Sequence, residues 1–505
     1  MIRRAAIVIA AGAAMLVAGC SGGGSGDQLA SVAPTNAPVY VESVVRPGGE
    51  QRDAIDSLAS RVGGIDDPGG TIVQALDAQL AEAGVHATYE HDIAPWLGER
   101  AAVFVQSFNG SPPPFAIAFE TTDADAARAF LEKVVGSSAE TKQGTYNGVD
   151  YFEDPTGTYA SGVVHDFLVY GTLDAFKATV DASNGSSLED SSQFANGTSG
   201  LPGDNLVLGY TDGQQAAREL AGIPSDPLNA TALKAALDTL ASGPVTFAIT
   251  GQPDTANLDV SLPTGLPAQL DGGDLVGRAP ADAWFAAGVR DLGGMLRNAL
   301  DAADAFRLPS IEDKVKELTG VDPNDLVSWL QDGYAFVAGT SEKKIAIGGV
   351  AQSSNASASA KAIDALRKRF EQDADAKLGP PPKGADEGFS ASAPESPQAI
   401  QVGRFGDQVV AALGPAEPGE EALHPKHSLD HDSAFKAGED ALGAGFSPLT
   451  FVRLPPFFVA AEKGGSKDDP AYIAAKPYLQ KLDYLMAGTS GDGDRSTVRF
   501  VVGVK

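Results

Sequence analysis

The chain has almost no cysteine: Cys20 is the one cysteine in 505 residues. A single thiol cannot close an intramolecular disulfide, and it cannot supply the sets of cysteine ligands that structural zinc sites use. If this thiol is itself modified, thiolate catalysis is excluded as well. The fold must therefore be held together by its hydrophobic core, which a chain of this length can bury.

Long apolar runs are also scarce, and the one that matters lies at the N-terminus. Arg3 and Arg4 precede an apolar and small-residue stretch, residues 5–19, that ends at Cys20. This is typical of a secretory signal peptide, and it is shorter than the roughly 20 residues that a membrane-spanning helix needs.

The junction Val17–Cys20 resembles the lipobox of bacterial lipoproteins, in which the cysteine thiol is joined to diacylglycerol. We therefore predict a lipoprotein signal peptide over residues 1–19 and lipidation of Cys20, with palmitate among the acyl chains. The alternative is an ordinary signal peptide with a chance cysteine at its end. Lipidation implies a protein anchored by lipid to the outer, extracytoplasmic face of the cell membrane.

The residues after Cys20 are rich in glycine and serine up to Gly26 and stay polar to about Ala33. Such a composition is typical of a flexible linker. We predict a tether over residues 20–33 that separates the folded part from the anchor.

Basic residues are few relative to acidic ones: 37 lysines and arginines stand against 66 aspartates and glutamates, a formal net charge of −29. A surface this acidic repels nucleic-acid phosphates and anionic lipid headgroups. We therefore expect no nucleic-acid partner and no electrostatic docking on a membrane. The hydrophobic fraction of 43% is that of a globular protein.

What the sequence does contain is an internal repeat. An opening strand after proline, two helical segments, a Trp-Leu pair before a strand and a Ser-Leu segment ending in Phe all occur twice, at nearly constant spacing. The matched pairs include Pro34 with Pro280, Trp96 with Trp329, and Ser187–Phe194 with Ser428–Phe435. We predict a tandem duplication, with repeats over residues 34–265 and 275–505.

Within each repeat, alternating strand patterns mix with amphipathic helices and lack the strict βαβ rhythm of a parallel sheet. We predict an α+β fold in which a mostly antiparallel sheet has its helices packed on one face. Trp96 and Trp329 each follow an amphipathic helix. We interpret them as core residues, with a sugar-stacking role as the alternative.

The pattern resembles the bacterial lipoprotein family catalogued as domain of unknown function 3352. The resemblance rests on the Pro-x-[Asn/Asp]-Ala opening strands, on the segment Asp92–Ala101 and on the Ser-x-Phe helix starts. It covers nearly the whole mature chain. The resemblance implies a location on the cell membrane and a fold, and it implies no catalytic residues.

Motifs for catalysis are missing from the two repeats. Neither repeat contains a Gly-x-Ser-x-Gly elbow, since the segments around Ser199 and Ser490 lack the final glycine. There is no phosphate-binding loop and no strand–Gly-x-Gly-x-x-Gly–helix unit. We therefore expect no enzymatic activity and no cofactor.

Three of the six histidines, His424, His427 and His431, lie close together among acidic residues and are weak candidates for a metal site. The corresponding stretch of the first repeat, Ser183–Asp190, has no histidine. The cluster also precedes a predicted helix start at Ser433, where acidic and serine side chains act as caps. We therefore favour a solvent-exposed loop and predict no metal.

These observations favour a membrane-anchored lipoprotein that binds a lipid-like or other envelope ligand without catalysis, because interfaces between domains often hold ligands. The alternative is a structural or protein-interaction component of the cell envelope. Its candidate contact points are the loop Gly379–Pro397 and the segment Pro455–Phe458.

Overall fold

The computed structural model describes residues 27–135, 141–220, 241–263, 271–305, 316–317, 321–339, 345–372, 376–392, 398–414, 425–492 and 495–505. These residues form two compact units. The described part of the first unit ends at Pro263, and that of the second begins at Asp271. The predicted signal peptide, Cys20 and His424 lie outside the described residues.

The first unit is built on an antiparallel sheet whose described strands pair in the order β10-β9-β8-β1-β2-β3-β7-β6-β5-β4. The strands are β1 Val39–Val44, β2 Leu97–Val105, β3 Phe115–Thr121, β4 Lys142–Tyr146, β5 Val149–Glu153, β6 Tyr159–Val164, β7 Phe167–Thr172, β8 Val207–Thr211, β9 Val245–Gly251 and β10 Thr255–Pro263. Its helices are α1 Asp27–Ala30, α2 Gly49–Leu58, α3 Pro68–Glu82, α4 Ala124–Val134, α5 Leu173–Ser183, α6 Ser192–Thr198 and α7 Gly213–Leu220.

The second unit has the same pairing order among its described strands, β20-β19-β18-β11-β12-β13-β17-β16-β15-β14, again antiparallel. The strands are β11 Ala283–Val289, β12 Leu330–Ala338, β13 Ala346–Ser353, β14 Lys377–Gly379, β15 Glu387–Ser392, β16 Ala399–Phe405, β17 Gln408–Gly414, β18 Ser447–Arg453, β19 Leu482–Asp492 and β20 Arg495–Val504. Its helices are α8 Leu292–Ala305, α9 Pro323–Val327, α10 Ala356–Glu371, α11 Ser433–Leu442, α12 Leu454–Lys463 and α13 Pro470–Leu479. The predicted α+β class with antiparallel sheets is confirmed.

The two units also share local contacts at the positions that the sequence repeat pairs. Isolated β-bridges join Pro34 to Ser187 and Pro280 to Ser428. Ring centroids lie 5.2 Å apart for Phe194 and Tyr210 and 5.3 Å apart for Phe435 and Phe451. These are contacts that a duplication predicts; the duplication itself stays a prediction.

Helices pack on both faces of the first unit's sheet, so the prediction of a single covered face is wrong. On β3, Ala116 and Ala118 belong to one core cluster, whereas Ile117 and Phe119 belong to another. Neighbouring side chains of a strand point to opposite faces, so the two clusters lie on opposite sides of the sheet. Helices α1, α5 and α6 contribute to the first cluster, and α3 and α4 contribute to the second. The reason lies in strands such as β7, which is buried at every position and shows no polar face.

The predicted tether over residues 20–33 is wrong from Asp27 onward. Residues 27–30 form helix α1, and Leu29, Ala30, Val32 and Ala33 are at most 3% exposed in the core. The apolar side chains of this segment pack into the hydrophobic core, and this packing holds the segment in place although polar residues lie between them. In the part of the chain that the structure describes, no helix has the length and hydropathy of a membrane span.

Candidate functional site

An apolar pocket of about 440 Å³ lies in the first unit, between helices α2 and α3 and the sheet. This volume falls in the range of about 300–1,000 Å³ that is usual for small-molecule sites. Its apolar lining comes mainly from the second core cluster and from the facing sides of the two helices. The lining includes Val45, Ile55, Ile72, Val73, Leu76, Ile93, Trp96, Leu97, Phe119, Phe130 and Leu168.

Helix α3 forms one wall of the pocket, and its sequence explains where it begins and ends. The Asp67 carboxylate accepts a hydrogen bond from the Gly70 N–H at 2.8 Å, which caps the first turn, and Pro68 stands at the first helical position. Leu76 and Leu80 anchor the helix in the core. The helix ends before Gly84, whose φ of +74° is left-handed backbone that favours glycine.

Polar groups line the pocket beside this apolar wall. Arg46 is fixed, because its Nη1 donates to the carbonyl oxygens of Ala94 at 3.0 Å and Leu97 at 2.9 Å. Arg52 is freer: its Nε lies 3.6 Å from the Asp56 carboxylate, and its side chain is 60% exposed. A guanidinium beside an apolar cavity is suited to a carboxylate or phosphate headgroup, to which it can offer paired N–H donors.

Trp96 forms part of the pocket lining and is held in place from both sides. Its Nε1 donates to the Asp92 carbonyl oxygen at 2.7 Å, and its ring centroid lies 5.4 Å from that of Phe130. Hydrogen bonds from Lys133 and from the Thr88 N–H hold the pKa of Asp92 below its usual value. Trp96 and Trp329 are each 4% exposed, which confirms the prediction that they are core residues.

A buried ion pair lies in the same unit, away from the residues that line the pocket. The Arg100 Nε donates to the Glu42 carboxylate, and these residues are 4% and 0% exposed. Tyr40 donates its hydroxyl to Glu42 at 2.6 Å, and Arg100 Nη2 donates to the Asn205 side-chain oxygen at 2.9 Å. Each partner of the pair is thus hydrogen-bonded to a further residue as well, which is the arrangement expected of a structural ion pair.

The described histidine candidates are exposed: His427 lies in a bend, and His431 is the last residue of the short 3-10 helix Leu429–His431. The His431 side chain is 72% exposed, and its Nδ1 lies 2.5 Å from the neighbouring Asp430 carboxylate. His427 is exposed as well. No group of three or more His, Cys, Asp or Glu side chains that could hold a metal ion occurs among the described residues, which leave out His424.

No motif in the sequence identifies ligand-binding residues, and the composition of the pocket explains why. Its lining comes from segments between Val45 and Leu168 that are far apart in the chain. Trp96 was singled out for packing alone. Arg46 and Arg52 gave a signal that the sequence could have shown, because these two basic residues lie on either side of the start of an amphipathic helix in a chain with few basic residues.

A family model described as "Protein of unknown function (DUF3352)" matches residues 4–437. No curated protein matches the chain. Among solved structures, crystal forms I and IV of TP0453 are each 12% identical, with a TM-score of 0.26; they cover 47% and 48% of this chain and 79% and 82% of their own. Crystal form III is 13% identical, with a TM-score of 0.25, and covers 47% of this chain and 80% of its own. At these TM-scores the likeness supports no conclusion.

Proposed function

Since the chain belongs to the DUF3352 family of proteins of unknown function, which assigns no chemistry, we propose a function from the pocket itself. We propose that this is a membrane-anchored extracytoplasmic lipoprotein that binds a lipid-like ligand without catalysis. The ligand has an apolar chain and an anionic headgroup. The observation that carries the proposal is the 440 Å³ pocket, with its apolar lining and its two arginines.

The pocket lining offers suitable contacts for both parts of such a ligand, the apolar chain and the anionic headgroup. The aromatic and aliphatic side chains around Trp96 and Phe130 exclude water from an apolar chain, which is the main source of affinity for it. Arg52, which is largely exposed, can turn toward a headgroup without breaking a buried hydrogen bond. The polar lining residues are Arg46, Arg52, Asp56, Asp67 and Tyr89, a set without a nucleophile and base pair suited to acyl transfer.

The proposed anchor would keep this pocket close to a source of lipid. The described residues begin at Asp27, and residues 21–26 lie between Asp27 and Cys20 in the sequence. The seven residue steps from Cys20 to Asp27 span at most about 25 Å when fully extended. A lipidated Cys20 would therefore hold the first unit within a short distance of the membrane surface.

The test of binding is native mass spectrometry with lipid extraction, on the mature chain carrying Cys20→Ser and purified from its own host. We expect a retained small molecule of defined mass. Displacement of a fluorescent fatty acid then compares two variants of helix α3. Val73→Phe fills the pocket and should weaken binding at least tenfold, on the order of the loss when a small ligand's apolar contacts are blocked.

Gln74→Phe is the matched control, because Gln74 is the next residue, is exposed and does not line the pocket. It should bind like the unsubstituted chain. Equal affinities of the two phenylalanine variants would remove the pocket as the binding site. A chain that carries no ligand and binds no fatty acid would remove the proposed function.

The headgroup preference has its own test. Arg52→Glu should weaken binding of an anionic fatty acid and leave that of the corresponding fatty alcohol nearly unchanged. Arg61→Glu, which introduces the same charge just beyond helix α2 and outside the pocket lining, is the control. If both variants discriminate equally, the net charge of the protein rather than Arg52 selects the headgroup.

A further inference from the structure

The second unit exposes large apolar side chains on a pair of helices, α12 and α13. Nine large apolar residues among the described part of the chain are at least 36% exposed, and four of them lie on these two helices. They are Phe457 at 40%, Val459 at 44%, Ile473 at 56% and Tyr478 at 53%. Chance scatter over the surface does not concentrate them within two short helices.

The exposed face of α13 is apolar throughout. Pro470, Ile473, Ala474, Pro477 and Tyr478 are all exposed, and no residue of this helix is buried. Residues three and four apart share one face of a helix, so these five form a continuous stripe. In a surface helix this stripe normally faces the core, whereas here it faces outward.

The polar side chains of α13 are instead used to fix the helix pair. Glu462 of α12 accepts a hydrogen bond from the Tyr472 hydroxyl at 2.9 Å and forms an ion pair with Lys476 at 2.9 Å. At the other end of α12, the ring centroid of Phe457 lies 6.0 Å from that of Trp284. The exposed apolar stripe therefore lies on a helical hairpin, formed by α12 and α13, whose position these contacts fix.

The charge around this hairpin also differs from that of the rest of the molecule. Residues 454–481 contain four lysines and three acidic residues, in a chain with a net charge of −29. Lys467 and Lys481, which flank α13, are both exposed. The acidic surface elsewhere is screened beyond a Debye length of about 8 Å at physiological ionic strength.

We propose that the exposed face of α12 and α13 inserts into the surface of a lipid bilayer containing anionic headgroups. An apolar stripe with aromatic residues and flanking lysines is the pattern of an interfacial helix, in which apolar side chains enter the acyl boundary and lysines reach the phosphates. This face is a second membrane contact, chemically separate from the pocket. It rests on the proposed function only in that the lipid anchor would keep a membrane within reach.

The charge pattern favours lipid over the other possible occupants. A second copy of this chain would bring the same four lysines and three acidic residues to the contact, because a symmetric dimer pairs a patch with itself, so it would add no net negative charge to balance the lysines. A lipid surface meets the same lysines with phosphates, and lysines near an anionic leaflet gain binding energy.

The test is co-sedimentation of the mature chain carrying Cys20→Ser, which has no anchor, with vesicles of phosphatidylcholine alone or mixed with phosphatidylglycerol. We expect the chain to pellet with the mixed vesicles. The double variant Ile473→Glu and Tyr478→Glu should lower the partition coefficient at least about tenfold, because both side chains would leave the acyl boundary. Ile347→Glu is the matched control, since Ile347 is 46% exposed on β13 of the same unit.

A second pair of variants tests the flanking lysines. Lys467→Gln and Lys481→Gln should each lower binding to the mixed vesicles about fivefold and change binding to pure phosphatidylcholine little. All substituted residues are exposed, so circular dichroism should be unchanged. Fatty-acid displacement from the pocket should also be unchanged, which separates this proposal from the proposed function.

Three results would overturn the proposal. The unsubstituted chain could stay in the supernatant with both vesicle types. The double variant could pellet as well as the Ile347 control. Analytical ultracentrifugation could show a dimer that the double variant dissociates in the absence of vesicle binding, which would assign the face to a second copy of the chain.

Discussion

The two units share one strand order but differ at the centre of their sheets. Tyr40 of β1 lies opposite Phe104 and Tyr210, and Ala286 of β11 lies opposite Phe336 and Phe451. Two residues further along each strand, the first unit has the buried Glu42 that binds Arg100. The second unit has Gly288 there, opposite Tyr334. The same fold therefore forms with or without the buried ion pair, so apolar pattern and strand pairing specify it.

The units also place their apolar residues differently. In the first unit, aromatic and aliphatic side chains surround a pocket behind α3. In the second, helices α12 and α13 present such side chains on the outside.

Breaking the ion pair should have the largest effect. Glu42→Ala leaves Arg100 buried without its carboxylate, which costs about 3–5 kcal/mol of unfolding free energy. Urea unfolding followed by Trp96 fluorescence, in a background with Trp284→Phe and Trp329→Phe, reports on the first unit. We expect the second unit, followed by its own tryptophans, to unfold unchanged.

Replacing both partners is the control for this prediction. Glu42→Leu combined with Arg100→Met removes both charges and should cost much less than the single variant, because no buried charge is left unpaired. Equal losses in the single and double variants would mean that packing rather than charge sets the stability at this position.

The matched tryptophans give the next effect in size. Trp96 donates its indole N–H to the Asp92 carbonyl oxygen, whereas the Trp329 N–H is buried with no partner in the described part of the chain. Trp96→Phe loses a hydrogen bond, and Trp329→Phe relieves an unpaired donor. We expect the first variant to lose about 1–3 kcal/mol more unfolding free energy than the second. Matching losses in urea unfolding would show that a water or another group satisfies Trp329.

Local signals in the sequence predicted local structure well. The predicted helix start at Ser433 is confirmed, since the Asp432 carboxylate accepts from the Ala434 and Phe435 N–H groups at 3.0 and 3.1 Å. The buried tryptophans were also predicted correctly. The Asp432 cap and the hydrogen bond from Trp96 to the Asp92 carbonyl oxygen each join residues within four positions of the chain.

Features that depend on distant segments were missed. The pocket joins residues as far apart as Arg46 and Leu168, and no spacing rule relates them. The second covered face of the sheet was missed because β7, which is buried at every position, has no alternation of apolar and polar residues in its sequence. The apolar residues of the exposed stripe of α13 have the spacing that is typical of a buried helix face. This spacing alone would predict, wrongly, that the stripe packs in the core.

One hydrogen-bonded carboxylate in each unit, Asp154 in the first and Asp274 in the second, predicts that substitution of the two residues affects stability with a different pH dependence. Asp154, which is 8% exposed, accepts from the N–H groups of Thr158 at 2.6 Å and Tyr159 at 2.9 Å. Burial alone would raise the pKa of Asp154, but the hydrogen bonds together hold it below the usual value. A hydrogen bond from Arg278 lowers the pKa of Asp274 in the second unit, where the side chain is 68% exposed.

A lowered folded-state pKa contributes stability above the unfolded pKa of about 3.9, and this stability is lost as pH falls through the folded value. Asp154→Asn should therefore cost about 1–2 kcal/mol near neutral pH and progressively less below about pH 4. Asp274→Asn should cost under about 1 kcal/mol throughout, because its ion pair is exposed. Urea midpoints measured across this pH range would contradict the prediction if the Asp154→Asn loss were constant.

The smallest effect uses the caps of the two helices that carry the proposed functions. Asp67 caps α3 at the pocket, and Asp469 caps α13 by accepting from the Ala471 N–H at 2.7 Å and the Tyr472 N–H at 3.3 Å. Alanine at either position should cost about 1 kcal/mol of stability. The functional effects should be crossed: Asp67→Ala weakens fatty-acid binding alone, and Asp469→Ala weakens vesicle binding alone.

Asparagine variants separate the cap from the charge at both helices, because asparagine caps a helix about as well as aspartate does. Asp67→Asn should keep its fatty-acid affinity or gain some, since an acidic group leaves a pocket proposed to take an anion. Asp469→Asn should keep its vesicle binding, since an acidic group leaves a face that is proposed to meet anionic headgroups. If Asp67→Ala weakened fatty-acid binding and vesicle binding equally, the pocket and the α12–α13 face would take part in one binding event. The two units would then not have the separate binding roles that are proposed for them.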